Sequence, residues 1–258
     1  MALAWLSLFA LLAAANAAVP FNLDPRVVNG EDAKPGEIQF QVSLQLKGSN
    51  RHFCGGSVLN ANYVLTASHC VAGQSPSAIE VVAGTVDLTT RSSASVHQVI
   101  KITMHEQYNP TSSWKNDIAL IKVETPFVVS KQVAFVHLPK ANEVVGAKSV
   151  AIVSGWGARQ TGGATTTKLQ KARIYISDQT YCKNAYSRLP MLIYDSQICA
   201  YDPATERGAC NGDSGGPLTV NGKIVGIVSW SNGCALPQYP TVYTRVTSFL
   251  DWIKRNAV

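Results

Sequence analysis

Past residue 17 the chain has no apolar stretch long enough to anchor it in a bilayer, so no membrane partner is expected. It carries no Cys-x-x-Cys pair and no histidine-rich cluster, which makes metal ligation a weak reading of its six cysteines. Charge is sparse, at 15% of residues, and the 22 Lys and Arg are scattered without interleaved aromatics. The net charge of +6 and pI near 9.0 therefore describe a solvated basic surface, and nucleic acid is not an expected partner. The single Asn-x-Thr, Asn109-Pro110-Thr111, is blocked by its proline, so no N-glycan is expected. Repeats, low-complexity tracts and accessory modules are missing too. What is present is ordinary globular material: 258 residues, 46% hydrophobic, with a mean hydropathy of +0.06. That is enough chain to bury a sizeable core, in one domain or two.

Residues 1–17 carry no charged side chain and hold Leu3, Leu6, Leu8, Phe9, Leu11 and Leu12 ahead of Ala15-Asn16-Ala17-Ala18. The apolar block is short for a membrane span and fits a signal peptide cut after Ala17 or Ala18, predicting a secreted, extracellular protein. Six cysteines suit that oxidising compartment, and spacing alone leaves about 15 connectivities open.

Phe40 to Leu46 alternates apolar and polar, predicting a half-buried strand that Lys47-Gly48-Ser49-Asn50 turns. Leu218-Thr219-Val220 and Lys223 to Val228 flank Asn221-Gly222, a strong hairpin signal. One amphipathic helix is predicted at the end, where Phe249, Leu250, Trp252 and Ile253 share a face after Thr247 or Ser248 as cap. Many short strands between turn residues predict an all-β fold.

The most informative segment is Gly212-Asp213-Ser214-Gly215-Gly216-Pro217. Glycines around a serine let a substrate approach closely and let neighbouring N–H groups converge on one point. Alone, such a segment is a tight turn; a base and an orienting acid elsewhere change its meaning. Thr66-Ala67-Ser68-His69-Cys70 offers a histidine, and Asn116-Asp117-Ile118-Ala119-Leu120 an aspartate entering a buried strand. The chain order His, Asp, Ser is one of those used by convergent triads. His69 would take the proton of Ser214 and Asp117 would fix the imidazole tautomer, while the backbone N–H groups of Gly212 and Ser214 would hold the oxyanion. His52, His97, His105 and His137 are assigned no catalytic part.

With Phe53-Cys54-Gly55-Gly56-Ser57, Ser154-Gly155-Trp156-Gly157, Ser229-Trp230-Ser231 and Pro240 to Val246 in matching order, the chain from Arg26 onward resembles the chymotrypsin-like (trypsin family) serine proteases. The resemblance implies two six-stranded antiparallel β-barrels with a C-terminal α-helix, the cleft lying between the barrels. It implies disulfides Cys54–Cys70, Cys182–Cys199 and Cys210–Cys234, each contributing on the order of 3 kcal/mol by chain entropy. It also implies that Ser229 donates to Asp117. No cofactor or metal is expected, since Ala83 to Leu88 lacks the paired acids of the family's calcium loop.

With the signal peptide over 1–17, the resemblance implies an activation propeptide over 18–26 and a protease domain over 27–258. Cleavage after Arg26 by a trypsin-like protease would free Val27 to pair with Asp213, and before cleavage Asp213 would be held by His52 and Ser43. The substrate pocket would be formed by Gly208 at the floor with Ala209, Ser229, Trp230, Ser231 and Thr241. Glycine rather than aspartate at 208 disfavours cleavage after Lys or Arg, and Thr241 narrows the pocket. The expected branch is non-tryptic, elastase-like to chymotrypsin-like: uncharged residues of small to medium size, with Leu or aromatics as runner-up. The expected partners are protein or peptide substrates, the activating protease and protein protease inhibitors, acting on a monomer of digestive or venom type. A silent homologue serving as a binding protein or cascade cofactor is the competing class. Ser68, where alanine is frequent, and Val27-Val28-Asn29-Gly30, where Ile-Val-Gly-Gly is usual, are the departures.

Overall fold

Short strands that are apolar on at least one face bury those faces most completely when their sheets close on themselves. In the computed structural model, which describes residues 27–258, they close twice. A short strand β1 (Glu31–Asp32) precedes the first barrel. That barrel comprises β2 (Gln41–Leu46), β3 (Arg51–Val58), β4 (Tyr63–Thr66), β5 (Ile79–Ala83), β6 (Ser95–Met104) and β7 (Ala119–Val123), closed in the order β2-β3-β4-β7-β6-β5. The second comprises β8 (Val150–Gly155), β9 (Gln170–Ile176), β10 (Gln197–Tyr201), β11 (Pro217–Val220), β12 (Lys223–Trp230) and β13 (Thr241–Arg245). Pairing of β8 with β9 closes it, and β1 adds to the free part of β9 through Glu31↔Lys171 and Asp32↔Gln170. All named pairings are antiparallel, and the expected all-β fold of two six-stranded barrels is the one observed.

Leu44, Leu65, Leu120 and Ile121 are fully buried in the first barrel, each side chain contributing about 1.5–3 kcal/mol of burial. Val153, Ile174, Leu218 and Tyr243 do the same in the second. The Asn221-Gly222 turn has both residues at positive φ, 49° and 74°, as a two-residue hairpin joining β11 to β12 requires. The three disulfides join Cys54 to Cys70, Cys182 to Cys199 and Cys210 to Cys234.

Two expectations need correction. The polar face of β2 is not solvated: Gln41, Ser43 and Gln45 are as buried as Val42 and Leu44. The second barrel and two first-barrel side chains cover it, with Ser154 Oγ donating to Gln41 at 2.7 Å, His52 meeting Ser43, and Arg91 reaching Gln45. The C-terminal helix α3 (Leu250–Asn256; α1 and α2 are Ser68–Val71 and Gln179–Tyr186) is not capped by Thr247 or Ser248. A 3-10 turn over Val246–Phe249 leads into it and no side chain caps it. Its apolar face, with Phe249, Trp252 and Ile253, packs on the first barrel, while Tyr63 donates to the backbone oxygen of Val258 at 2.6 Å. Helix α2 escapes the periodicity analysis because it is only eight residues long, yet Asp178 caps it by accepting from the Tyr181 N–H at 2.9 Å.

Removing that cap by Asp178→Ala is expected to cost about 1 kcal/mol in urea unfolding, whereas Ser248→Ala, which removes no cap bond, is expected to stay within about 0.5 kcal/mol.

Candidate active site between the barrels

Asp117 is fully buried just before β7, where a bare carboxylate is costly unless hydrogen-bonded. Its Oδ1 accepts from the backbone N–H of His69 at 2.8 Å, and its Oδ2 lies 2.7 Å from His69 Nδ1. From the second barrel Ser229 Oγ donates to the same Oδ2 at 2.6 Å, and Thr244 Oγ1 donates to the Asp117 carbonyl at 2.7 Å. An acceptor at Nδ1 fixes that nitrogen as the protonated one and leaves Nε2 free to accept. Ser68 acts locally, its Oγ donating to the Ile118 carbonyl at 2.7 Å and tying α1 to the chain beside Asp117.

Ser214 sits in a turn built on two glycines that no other residue could replace cheaply. Gly212 has φ 98°, and a Cβ there would lie 2.8 Å from Thr165 Cγ2. Gly215 has φ 76°, and its Cβ would lie 2.2 Å from Thr66 Oγ1. The Ser214 carbonyl accepts from the Gly55 N–H of β3 at 2.7 Å, fastening the turn to the first barrel. Asp213, Gly215 and Gly216 spend their N–H groups on Cys210, Val228 and Asp213 carbonyls. Among the described residues the N–H groups of Gly212 and Ser214 meet no acceptor. Two unused donors flanking one residue are groups able to receive a developing negative charge.

Asp213 is fully buried, and in this structure neither His52 nor Ser43 is its partner. His52 Nε2 bonds the Gly212 carbonyl at 2.9 Å and its Nδ1 meets Ser43 Oγ at 2.8 Å. Asp213 accepts instead from the N–H groups of Gly157, at 2.8 Å, and Cys210, at 2.9 Å. It fits only because Gly155 and Gly157 lack side chains: a Cβ on either would lie within 2.5 Å of an Asp213 oxygen. Complete burial pushes its carboxyl up to about 7, against the two N–H bonds that favour the anion. Burial likewise drives His52 down to about 4, against its bond to Gly212.

A cavity of about 200 Å³ opens beside Ser214. Of the residues expected to form it, Ala209, Ser229, Trp230, Ser231 and Thr241 line it. Gly208 does not: its N–H bonds the Val28 carbonyl at 3.3 Å in a bridge, and it has no side chain to present. The lining also includes Trp114, Asn211 and Val228, which the sequence reading missed. Trp114 stacks on Trp230 with ring centroids 5.9 Å apart, held by a turn in which Ser113, Trp114 and Asn116 all have positive φ. Only such a turn three residues before Asp117 could have pointed to it, and no periodicity marks that. Among the described residues no acidic side chain lines the cavity.

Val27 is fully buried in the second-barrel core and Val28 bridges to Gly208. Arg26, the propeptide and the signal segment lie outside the described residues. Among those described, the one grouping of three metal-capable side chains is Cys54, His69 and Cys70, and its two sulfurs are already joined to each other.

The family model described as trypsin matches residues 27–253. The chain is 40% identical over 242 residues to "Trypsin-1" of Astacus astacus, covering 90% of this chain and 100% of the relative. It is 38% identical over 241 residues to "Fibrinolytic enzyme, isozyme C" of Lumbricus rubellus, covering 90% and 100%. To "Trypsin" of Sarcophaga bullata it is 37% identical over 258 residues, covering 99% and 98%.

In the intact chain Val27 offers Asp213 no free amine, which sets a pH dependence. Between about pH 4 and 7 the folded carboxyl keeps its proton while the unfolded one has lost it, so this group's contribution falls as pH rises. His52 acts oppositely, contributing stability that is lost as pH falls from its ordinary value towards 4. Comparison of Arg26→Gln with Arg26→Gln/Asp213→Asn isolates the first effect. Relative to the double variant, the urea midpoint of the single variant is expected to fall across pH 4–7, and parallel profiles would refute the raised carboxyl.

Proposed function

The chain belongs to the trypsin family of chymotrypsin-like serine proteases, and on that premise we propose that it is a secreted endopeptidase made as a zymogen and acting through Ser214, His69 and Asp117. The observation that carries this reading is the pairing of a fully buried Asp117 on His69 Nδ1 with two unused N–H donors at Gly212 and Ser214. His69 Nε2 takes the Ser214 proton as Oγ attacks the scissile carbonyl, and the two N–H groups receive the oxyanion. Collapse sends the proton from His69 to the leaving amine and leaves Ser214 acylated. Water, deprotonated by His69, then releases the acid and restores the serine.

Activation works through Asp213. Cleavage after Arg26 by a trypsin-like protease gives Val27 an ammonium, the cation that a fully buried carboxyl otherwise lacks. Val27 is already buried in the barrel that contains Asp213. Ionising Asp213 against that charge fixes the turn that carries the oxyanion donors.

The substrate bond follows from the cavity. Two of the relatives are named trypsins, yet among the described residues no acidic side chain lines this cavity to hold Lys or Arg. Its small volume, with Thr241 and stacked Trp114 and Trp230 in its walls, favours uncharged residues of small to medium size over large aromatics.

Cleavage at Arg26 is expected to switch on labelling of Ser214 by a fluorophosphonate; equal labelling of the intact chain would show that no zymogen control exists. Asp117→Asn is expected to lower kcat by about 10⁴-fold in the cleaved protein, because the wrong imidazole tautomer is then held. Across chromogenic peptides ending in Ala, Val, Leu, Phe, Tyr and Arg, the highest kcat/KM is expected for Ala, Val or Leu. Fast cleavage after Arg would sink the cavity argument.

A further inference from the structure

We propose that His52 is a positioning residue for the oxyanion site, aligned by a polar relay that runs through the first barrel from Glu80 to the Gly212 carbonyl. The proposal rests on the serine-protease reading above and adds residues to it.

The relay can be followed bond by bond. Arg91 donates one arm to Glu80 and another to Gln45 Oε1. With its oxygen so engaged, Gln45 directs Nε2 to Ser43 Oγ at 3.2 Å. Ser43 Oγ, accepting there, has its own hydrogen for His52 Nδ1 at 2.8 Å. The proton of the neutral imidazole is then on Nε2, which donates to the Gly212 carbonyl at 2.9 Å. Gln45 and His52 are cross-strand partners on β2 and β3, and the strand register keeps these side chains together. His52 is buried and its ring lies 5.7 Å from that of Trp156, so it has little room to move.

The carbonyl it holds controls the donors. Gly212 and Asp213 share one peptide plane, bonded on its oxygen side by His52 and on its N–H side by the Cys210 carbonyl at 3.0 Å. Glycine at φ 98° offers no side chain to resist rotation about its own bonds. Without the His52 bond that plane is free at one end, and the N–H groups on either side of it lose their common aim. Because His52 stays neutral well below neutral pH, the relay keeps one polarity across the working range.

The test uses the full chain cleaved after Arg26, with a fluorophosphonate count of active sites, a peptide anilide substrate, the matching peptide aldehyde and the peptide alcohol. The aldehyde's adduct places an oxyanion at the Gly212 and Ser214 donors; the alcohol forms no adduct. His52→Ala is expected to lower kcat and aldehyde affinity together by about tenfold or more, with KM and alcohol affinity within about twofold. His52→Gln, which can still donate to Gly212, is expected to recover part of the loss. Ser43→Ala and Gln45→Ala are expected to give smaller losses of the same pattern, and they carry the test if His52→Ala does not fold. Unchanged kcat in His52→Ala, or in both relay variants, overturns the positioning role, as does a loss shared equally by KM and alcohol binding. Failure of the wild-type cleaved chain to label overturns the nucleophile reading, and the positioning role with it.

Discussion

Everything at the centre of this molecule depends on how one buried carboxylate is satisfied. Asp117 has no access to water, and its donors come from both halves of the fold: His69 from the first barrel and Ser229 from the second. Each barrel could close alone, since each has its own antiparallel ring and its own apolar interior. The first barrel gives each carboxylate oxygen one donor from His69, and the second adds Ser229 on Oδ2 and Thr244 on the Asp117 carbonyl. The hydrogen bonds around that buried charge therefore tie the two barrels together at this point. The bond from the Gly55 N–H to the Ser214 carbonyl extends the same seam to the serine turn.

A second buried carboxylate lies one residue from the serine and is treated differently. Asp213 is accommodated by absent side chains, with Gly155 and Gly157 opening room for it and two N–H groups facing its oxygens. Two neutral donors do not match a full charge in so dry a place, which is why its carboxyl holds a proton up to about 7. Asp117 is complete as folded, whereas Asp213 lacks a cation. That difference is what the proposed activation uses: a new amino terminus at Val27 would supply the cation, one residue away from Ser214 rather than on it.

The candidate site was legible because its residues lie in local strings. Gly212 to Pro217 and the segments around His69 and Asp117 hold the candidate groups, of which the structure pairs His69 with Asp117, and Asn221-Gly222 names its hairpin from backbone preference alone. What was not legible depends on tertiary cover. Alternation in β2 indicates one wet face, but that face is roofed by Ser154, His52 and Arg91, none of which is near in sequence except His52. The cap expected before α3 was pre-empted by a 3-10 turn that lets the helix dock on the first barrel. Trp114 entered the cavity wall through a turn of unusual φ values, which composition does not announce.

Gly208 has no side chain to show in a cavity wall: its backbone bridges to Val28, and the next residue, Ala209, lines the cavity. Among the described residues the lining contains no carboxylate. The relation to trypsins establishes the family and the fold, while charge selection depends on a few atoms in the cavity wall. A chain can therefore be 40% identical to a trypsin while the described residues that line its cavity include no carboxylate, the group a buried cation would pair with.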